Sequence, residues 1–324
     1  MTILVTGVAG FVGSHVAAAL LARGERVLGV DNVNSYYSVA LKEARLARLK
    51  PQPHFQFLRL DLADRDAIFA ALAPEFDGIT EVIHLAAQAG VRHSMIDPYA
   101  YVASNVMGHV VMLEAARHMP KLRHLVYASS SSVYGGNTSL PFRETDAVEL
   151  PVSLYAATKR ADELIGQAYS HIYGLPQTGL RFFTVYGPWG RPDMAYYSFA
   201  KAIAAGEPIT LYEGGELKRD FTYIDDIVQG VIGCLPHPPG AGERARLLNI
   251  GNHRSERVMT LVRLLEEGLG RRATIIDAPR PVADVEETFA DISAIQALCG
   301  FAPTTPLSVG IPKFVTWFRE WNGV

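Results

Sequence analysis

Three glycines, Gly7, Gly10 and Gly13, stand between the apolar run Thr2-Ile-Leu-Val-Thr6 and an Ala/Leu-rich stretch over residues 11–23 that stops at Gly24. The run reads as a short buried strand and the stretch as a helix. A glycine-rich turn at such a junction suits a dinucleotide: without Cβ atoms, backbone N–H groups can approach a pyrophosphate. The helix N-terminus adds favourable dipole charge. Taken alone, the same turn is also consistent with a merely tight turn. Asp31 weighs against that plainer reading. It lies 18 residues after Gly13, at the end of the next apolar run, Arg26-Val-Leu-Gly-Val30. A carboxylate there accepts hydrogen bonds from ribose hydroxyls and repels a 2′-phosphate, which favours NAD over NADP. Asp61, closing the run at residues 55–60, either meets the adenine or only caps the following helix.

Strand-like and helix-like stretches go on alternating to about residue 183. Strands are expected at 81–85, 123–128 and 178–183, and helices at 64–72, 100–119 and 153–173. This alternation implies a Rossmann-type α/β fold, a doubly wound parallel sheet. Right-handed crossovers place all strand C-termini on one edge, so Gly7, Asp31, Asp61, Ala86, Ser130 and Thr184 meet in one crevice. After Pro188, Pro, Gly and aromatic residues become frequent. Residues 220–235 read as a return to the first unit. The expected division is 1–187 plus 217–236 for the NAD-binding Rossmann domain. A smaller, discontinuous α/β substrate domain takes 188–216 plus 237–324. The stretch 236–242 is expected to be an exposed loop.

At 324 residues the chain has room for about two domains. Its 49% hydrophobic and 19% charged residues exclude a disordered chain. A net charge of −3 gives no reason to expect nucleic acid or an anionic membrane as partner. Cys234 and Cys299 form no metal-ligand spacing, so no metal is expected and two reduced thiols are. No Lys or Arg precedes Arg23, and glycines break the early apolar residues, so neither a signal peptide nor a membrane span is expected. A cytoplasmic location follows.

The chemistry centres on Tyr155-Ala-Ala-Thr-Lys159 and, upstream, Ser130 within Tyr127-Ala-Ser-Ser-Ser-Ser-Val-Tyr-Gly135. Oxidising a secondary alcohol needs a base for the hydroxyl proton while the hydride leaves. Free tyrosine, with a pKa of about 10, is a poor base. A nearby ammonium and a positive nicotinamide favour its phenolate. One helical turn separates Tyr155 from Lys159, so both lie on one face. Ser130 can hold the same oxygen. A YxxxK pattern alone is usually an ordinary helix surface; with the glycine turn and the serine-rich strand end it points to catalysis.

With these motifs in place, the chain resembles the extended short-chain dehydrogenase/reductases, in their NAD-dependent nucleotide-sugar epimerase/dehydratase group. The likeness runs over essentially the whole length and is greatest for UDP-glucuronate 4-epimerases. It is carried by Asp31-Asn-Val-Asn-Ser-Tyr-Tyr37, His84-Leu-Ala-Ala-Gln-Ala-Gly-Val-Arg92, the run Ser129 to Ser132, the segment from Arg181 through Gly187-Pro-Trp-Gly-Arg191 to Met194, and Arg219-Asp-Phe-Thr-Tyr-Ile-Asp-Asp226. The resemblance implies that Tyr155 is the base, Lys159 its partner and Ser130 the hydroxyl orienting the sugar O4. It implies cofactor contacts at Gly7, Gly10, Phe11, Val12, Gly13, Asp31, Asn32, Asn34, Asp61, Leu62, Leu85, Ala86, Ala87, Asn105, Tyr155, Lys159 and Phe182. Substrate contacts are implied at Gln88, Ser131, Ser132, Thr184, Arg191, Arg219 and Asp284. A UDP-hexuronate substrate and a homodimer are also implied. The helix carrying Ala156, Ala157, Ala161 and Ile165 would supply either a dimer stripe or core.

The residues give independent support for a carboxylate-bearing sugar. Consecutive serines at a strand end offer several donors to an anion, although ordinary strand-end capping accounts for them too. An arginine such as Arg191 is often simply solvated, but one beside this crevice suits an anion. The 4,6-dehydratases carry an Asp-Glu pair after the catalytic hydroxyl, and this chain has Ser131 and Ser132 there. UDP-glucuronate decarboxylases carry a Glu beside theirs. UDP-glucose 4-epimerases tend to an Asn where Thr184 stands. These two activities stay open as alternatives, and a non-catalytic NAD-binding sensor is a remote one. The stretch 283–291 departs from the family pattern at Ala283, Glu286 and Phe289.

Overall fold

The computed structural model describes residues 1–240, 242–280 and 285–324. The chain opens with β1 (Thr2–Thr6), α1 (Phe11–Ala22), β2 (Arg26–Asp31), α2 (Val39–Leu49), β3 (Phe55–Arg59), α3 (Arg65–Leu72) and β4 (Ile79–His84). It continues through α4 (Pro98–Tyr101), a π-helical turn (Val102–Met107), α5 (Gly108–Arg117), β5 (His124–Ser130), α6 (Leu154–Tyr173) and β6 (Gln177–Phe182). Next come β7 (Thr184–Tyr186), α7 (Ala195–Ala205), β8 (Pro208–Tyr212), β9 (Lys218–Arg219), β10 (Phe221–Tyr223), α8 (Ile224–Cys234) and β11 (Ala245–Ile250). The last elements are β12 (Glu256–Arg257), α9 (Val258–Leu269), β13 (Thr274–Ala278), α10 (Ser293–Cys299) and α11 (Leu307–Asn322).

Seven parallel strands form the central sheet in the order β11-β6-β5-β4-β1-β2-β3. The order reverses direction at β1, and the β1–β4 gap is the switch point where open α/β sheets bind ligands. Alternate strand residues feed two cores. Ile3, Val5 and Val27 pack with α1, α2 and α8, whereas Leu4 and Leu28 pack with α3 and α5. Three further strand pairs, β10–β7, β12–β9 and β13–β8, lie outside the large sheet.

Three features differ from the sequence expectation. The helix expected at 100–119 is split, because Asp97 caps α4 with Pro98 at its first position and the chain widens to a π turn before α5. The helix α2 was not anticipated, although Ser38 caps it and Leu41, Leu46 and Leu49 form its buried face. Ala245–Ile250, expected with the smaller unit, is the seventh strand of the central sheet, paired with β6 from Ala245↔Gln177 to Ile250↔Phe182. Its alternation is weak on paper because the partner strand, not the local pattern, completes its backbone bonds. The helix that follows β10 does return to the first unit: α8 buries Ile227 and Val231 in the same core as Val16 and Leu20 of α1.

Candidate active site

A single cleft of about 1350 Å³ opens along the C-terminal edge of the sheet. A pocket for one small ligand spans roughly 300–1,000 Å³, so this one has room for more than a single small molecule. Gly7, Gly10 and Gly13 line it at the switch point. Gly7 adopts φ +73°, and a Cβ there would sit 2.7 Å from the Ala86 backbone nitrogen. A Cβ on Gly13 would sit 2.1 Å from the Gly7 carbonyl. The turn is thus pressed against β4 and against itself, which only glycine permits. Phe11 and Val12 begin α1 beside it, with Leu85, Ala86 and Ala87 on the facing strand end.

Asp31 closes β2. Its Oδ2 accepts from Ala9 N at 3.0 Å and its Oδ1 from Val33 N at 2.7 Å. Burial pushes its carboxyl up, while these N–H groups and the cations of Lys42 and Arg45 favour the charged form. Asn32 donates to Asp61 Oδ2 at 3.0 Å, so the ends of β2 and β3 are linked. Asp61 also accepts from Ala63 N at 2.9 Å; it turns the chain and faces the cleft with Leu62.

The helix α2 adds two cations to the site that no motif of the sequence picks out. Lys42 donates to both the carbonyl and Oδ1 of Asn34 at 2.7 Å. Burial pushes its ammonium down to about 8, against the pull of Asp31. Arg45 is fully buried and donates to Ala9 O at 3.0 Å, Tyr37 OH at 2.7 Å and Trp189 O at 2.6 Å. It ties the glycine turn to the loop after β7. The signal was present as an apolar i, i+5, i+8 spacing behind a Ser cap, but Lys42, Arg45 and Arg48 masked it as surface.

Ser130 is the last residue of β5, in register with Phe182, the last of β6. Its Oγ accepts from Ser132 N at 3.2 Å, which starts a tight turn over Ser131–Tyr134. Ser131, Ser132 and, from the start of β7, Thr184 all line the cleft. Tyr155 and Lys159 enter from the first turns of α6, capped by Ser153. The Lys159 ammonium donates to Ala128 O at 2.9 Å and Asp162 Oδ2 at 3.0 Å. Tyr155 meets Tyr101 edge-to-face at 6.1 Å.

Asn105 does not line the cleft. Buried in the π turn, it accepts from Gln88 N at 2.7 Å and donates to Gln88 O at 3.1 Å and Thr158 Oγ1 at 3.0 Å. It holds the cleft-lining Gln88 segment rather than facing a ligand. Arg191 faces the cleft already clamped by Asp193, at 3.1 and 2.5 Å, and Tyr36 donates to the same carboxylate at 3.2 Å. Arg219 lines the cleft from β9 and donates to Lys218 O at 2.7 Å. Asp284 and Ala283 lie outside the described residues.

A sheet with this strand order, a glycine turn at its switch point and a Ser/Tyr/Lys set across it carries one family assignment. The model of the NAD dependent epimerase/dehydratase family matches residues 3–251.

The chain belongs to that family.

Among its relatives is UDP-glucuronate 4-epimerase 4 of Arabidopsis thaliana, 48% identical over 335 residues, covering 99% of this chain and 76% of the relative. The crystal structure of UDP-glucuronic acid 4-epimerase from Bacillus cereus, in complex with UDP-glucuronic acid and NAD, superposes with a TM-score of 0.90. That protein is 34% identical, with 99% of this chain and 100% of the other covered. The UDP-glucose 4-epimerase of Thermotoga maritima with UDP-glucose is more distant in sequence, at 29% identity, 99% and 100% coverage and a TM-score of 0.87. The glycine cradle, too tight for any Cβ, and the carboxylate at the end of β2 fit the pyrophosphate and adenosine ribose of NAD. Among the described residues no cluster of His, Cys, Asp or Glu is arranged to hold a metal. No helix among them is long and apolar enough to cross a membrane.

Proposed function

We propose that this chain epimerises UDP-glucuronate to UDP-galacturonate at C4, through a 4-keto sugar and without decarboxylation. The observation that carries the reading is the joint placement of Ser130–Ser132, Thr184, Tyr155 and Lys159 around one cleft, with no Asp or Glu directly after Ser130. The relatives named for UDP-glucuronate support the same substrate class.

NAD, when bound, would supply hydride chemistry at C4. Gly7, Gly10, Gly13 and Asp31 would hold its pyrophosphate and ribose, and Leu85–Ala87 and Phe182 its remaining length. Tyr155 takes the O4 proton, and the Lys159 ammonium favours its phenolate. Ser130 holds O4 with its hydroxyl, whose oxygen is already oriented by Ser132 N. After oxidation the sugar presents its other face, and Tyr155 gives the proton back to the inverted O4. Ser131, Ser132 and Thr184 hold the carboxylate. The 4-ketone beside that carboxylate is a β-keto acid and loses carbon dioxide when the C5–carboxylate bond aligns with the carbonyl π system. Holding the bond out of alignment separates an epimerase from a decarboxylase.

We assign the larger unit to NAD and the smaller to the nucleotide sugar. Arg219, from the larger unit, and Arg191, oriented by Asp193, face the diphosphate. The chain is assigned to the cytoplasm, and a homodimer suits its surface: Val102, Met107 and Leu164 are exposed on adjoining helices. Ala156 is buried core instead of stripe, and Ile165 packs against the core. Incubation with UDP-glucuronate and catalytic NAD⁺, followed by NMR of the products, tests the function. UDP-galacturonate is expected. UDP-xylose or a 4-keto pentose would make the chain a decarboxylase, and turnover of UDP-glucose alone would discard the carboxylate role.

A further inference from the structure

Lys159 is buried in company. Its partner Asp162 lies one turn further along α6, and the two side chains are 5% and 2% exposed. Burying an ion pair costs solvation at both ends and gives little net stability, so this pair needs a reason beyond folding. Beside it, Asp162 Oδ1 and His109 Nε2 have no hydrogen-bond partner among the described residues. His109, from α5, stacks on His84 of β4 at 5.3 Å and meets Tyr127 of β5 at 5.0 Å. His84 is in turn held by Thr6 Oγ1 at 2.7 Å. On α6 itself the neighbours are Tyr155, Arg160 and Glu163, and Glu163 is claimed by Arg181 of β6 and by Arg160.

The local charge count follows from these partners. Burial keeps His84 neutral, down to about 3, and lowers His109 in the same direction. Burial raises the Asp162 carboxyl to about 6, with Lys159 opposing, so it is ionised above that pH. Glu163 is already matched by arginines. Asp162 is then the negative charge that stands directly on the lysine.

We propose that Asp162 is a positioning residue that anchors the Lys159 ammonium and offsets part of its field at Tyr155, and so sets the pH window of the proton exchange. This rests on the assignment of Tyr155 as the base. Removing a negative charge from a low-dielectric site makes every nearby proton easier to lose. Loss of that charge therefore moves the pH bell to lower pH as a whole.

The test is the pH profile of kcat/KM for the NAD-loaded wild type, Asp162→Asn, Asp162→Glu and Tyr155→Phe. In Asp162→Asn both limbs are expected to move to lower pH by about half to one unit, a three- to tenfold change on the acidic limb. Asp162→Glu keeps the charge and is expected to leave the limbs in place. A second readout is ultraviolet titration of phenolate formation, wild type minus Tyr155→Phe, which is expected to shift with Asp162→Asn even without substrate. Limbs that stay put while the rate falls, or that move equally in both Asp162 variants, overturn the proposal. Turnover by Tyr155→Phe at the wild-type rate overturns the base assignment instead. Asp162→Ser replaces Asp162→Asn if circular dichroism shows the latter unfolded, with the same shift expected. Failure of both to fold makes Asp162 a purely structural residue and ends the proposal.

Discussion

Gly13 shows how little freedom single residues have in the cradle. An alanine Cβ would stand 2.1 Å from the Gly7 carbonyl, a backbone atom that cannot swing away. Gly13→Ala is expected to lose bound NAD and to melt at lower temperature; NAD content after gel filtration and a thermal scan check this. Ser131 and Thr184 have the opposite character. They lie beyond the paired ends Ser130↔Phe182 of the central sheet. Thr184 pairs with Phe221 of β10 through its backbone, which a change of side chain leaves in place. Thr184→Ala and Ser131→Ala are therefore expected to fold normally and to raise the UDP-pentose fraction of the product. Unchanged product ratios in both would remove the carboxylate-holding role.

At the scale of elements, α6 delivers Tyr155 and Lys159 and is fastened by one buried carboxylate. Glu163 accepts from Ser129 Oγ at 2.6 Å, from Arg181 at 2.8 and 2.9 Å and from Arg160 at 3.0 Å. Burial opposes the Arg181 charge, but Glu163 more than offsets it, and the guanidinium is held above its ordinary value. Ser129 precedes Ser130, so the same group aligns the helix with the catalytic strand end. Glu163→Ala leaves the Arg181 charge buried and unpaired, a loss of about 3–5 kcal/mol, to be read as a lowered urea midpoint. Arg45 plays a similar part between α2, the glycine turn and Trp189.

The whole molecule should weaken in acid. Burial holds His15 and His124 down at about 4 and His84 at about 3, with His109 lowered likewise. Each is neutral in the folded state. Each therefore contributes stability that is present above the unfolded value of about 6.5 and lost as pH falls toward the folded one. Asp162 and Asp220, raised by burial to about 6, act the other way: their contribution is present below the unfolded value and is lost as pH rises through 6. Asp31, Glu81, Glu144 and Asp225 are raised as well, but Glu43, Glu114, Asp193 and Asp291 are lowered and act in the opposite direction. The four histidines then outweigh Asp162 and Asp220. The melting temperature is expected to fall between pH 6.5 and 4.5, and a flat profile there would show that the histidines are solvated in the folded chain.

What the sequence determined by itself was the periodic part: the βαβ alternation, the glycine turn, Asp31 at a strand end, and Tyr155 one helical turn before Lys159. Local sterics and the 3.6 and 2 residue periods write these into neighbouring residues. The tertiary structure alone decided that β11 completes the sheet, that a charged helix, α2, is buried against the glycine turn, that Asn105 braces Gln88 without reaching the cleft, and that Arg191 arrives already paired with Asp193. The first three share a physical reason: a backbone ladder, a desolvated guanidinium or a buried amide is satisfied by partners far along the chain, and no short window of sequence contains both ends of such a bond. Arg191 and Asp193 are near neighbours in sequence, and what the fold decides there is that the loop carrying them faces the cleft.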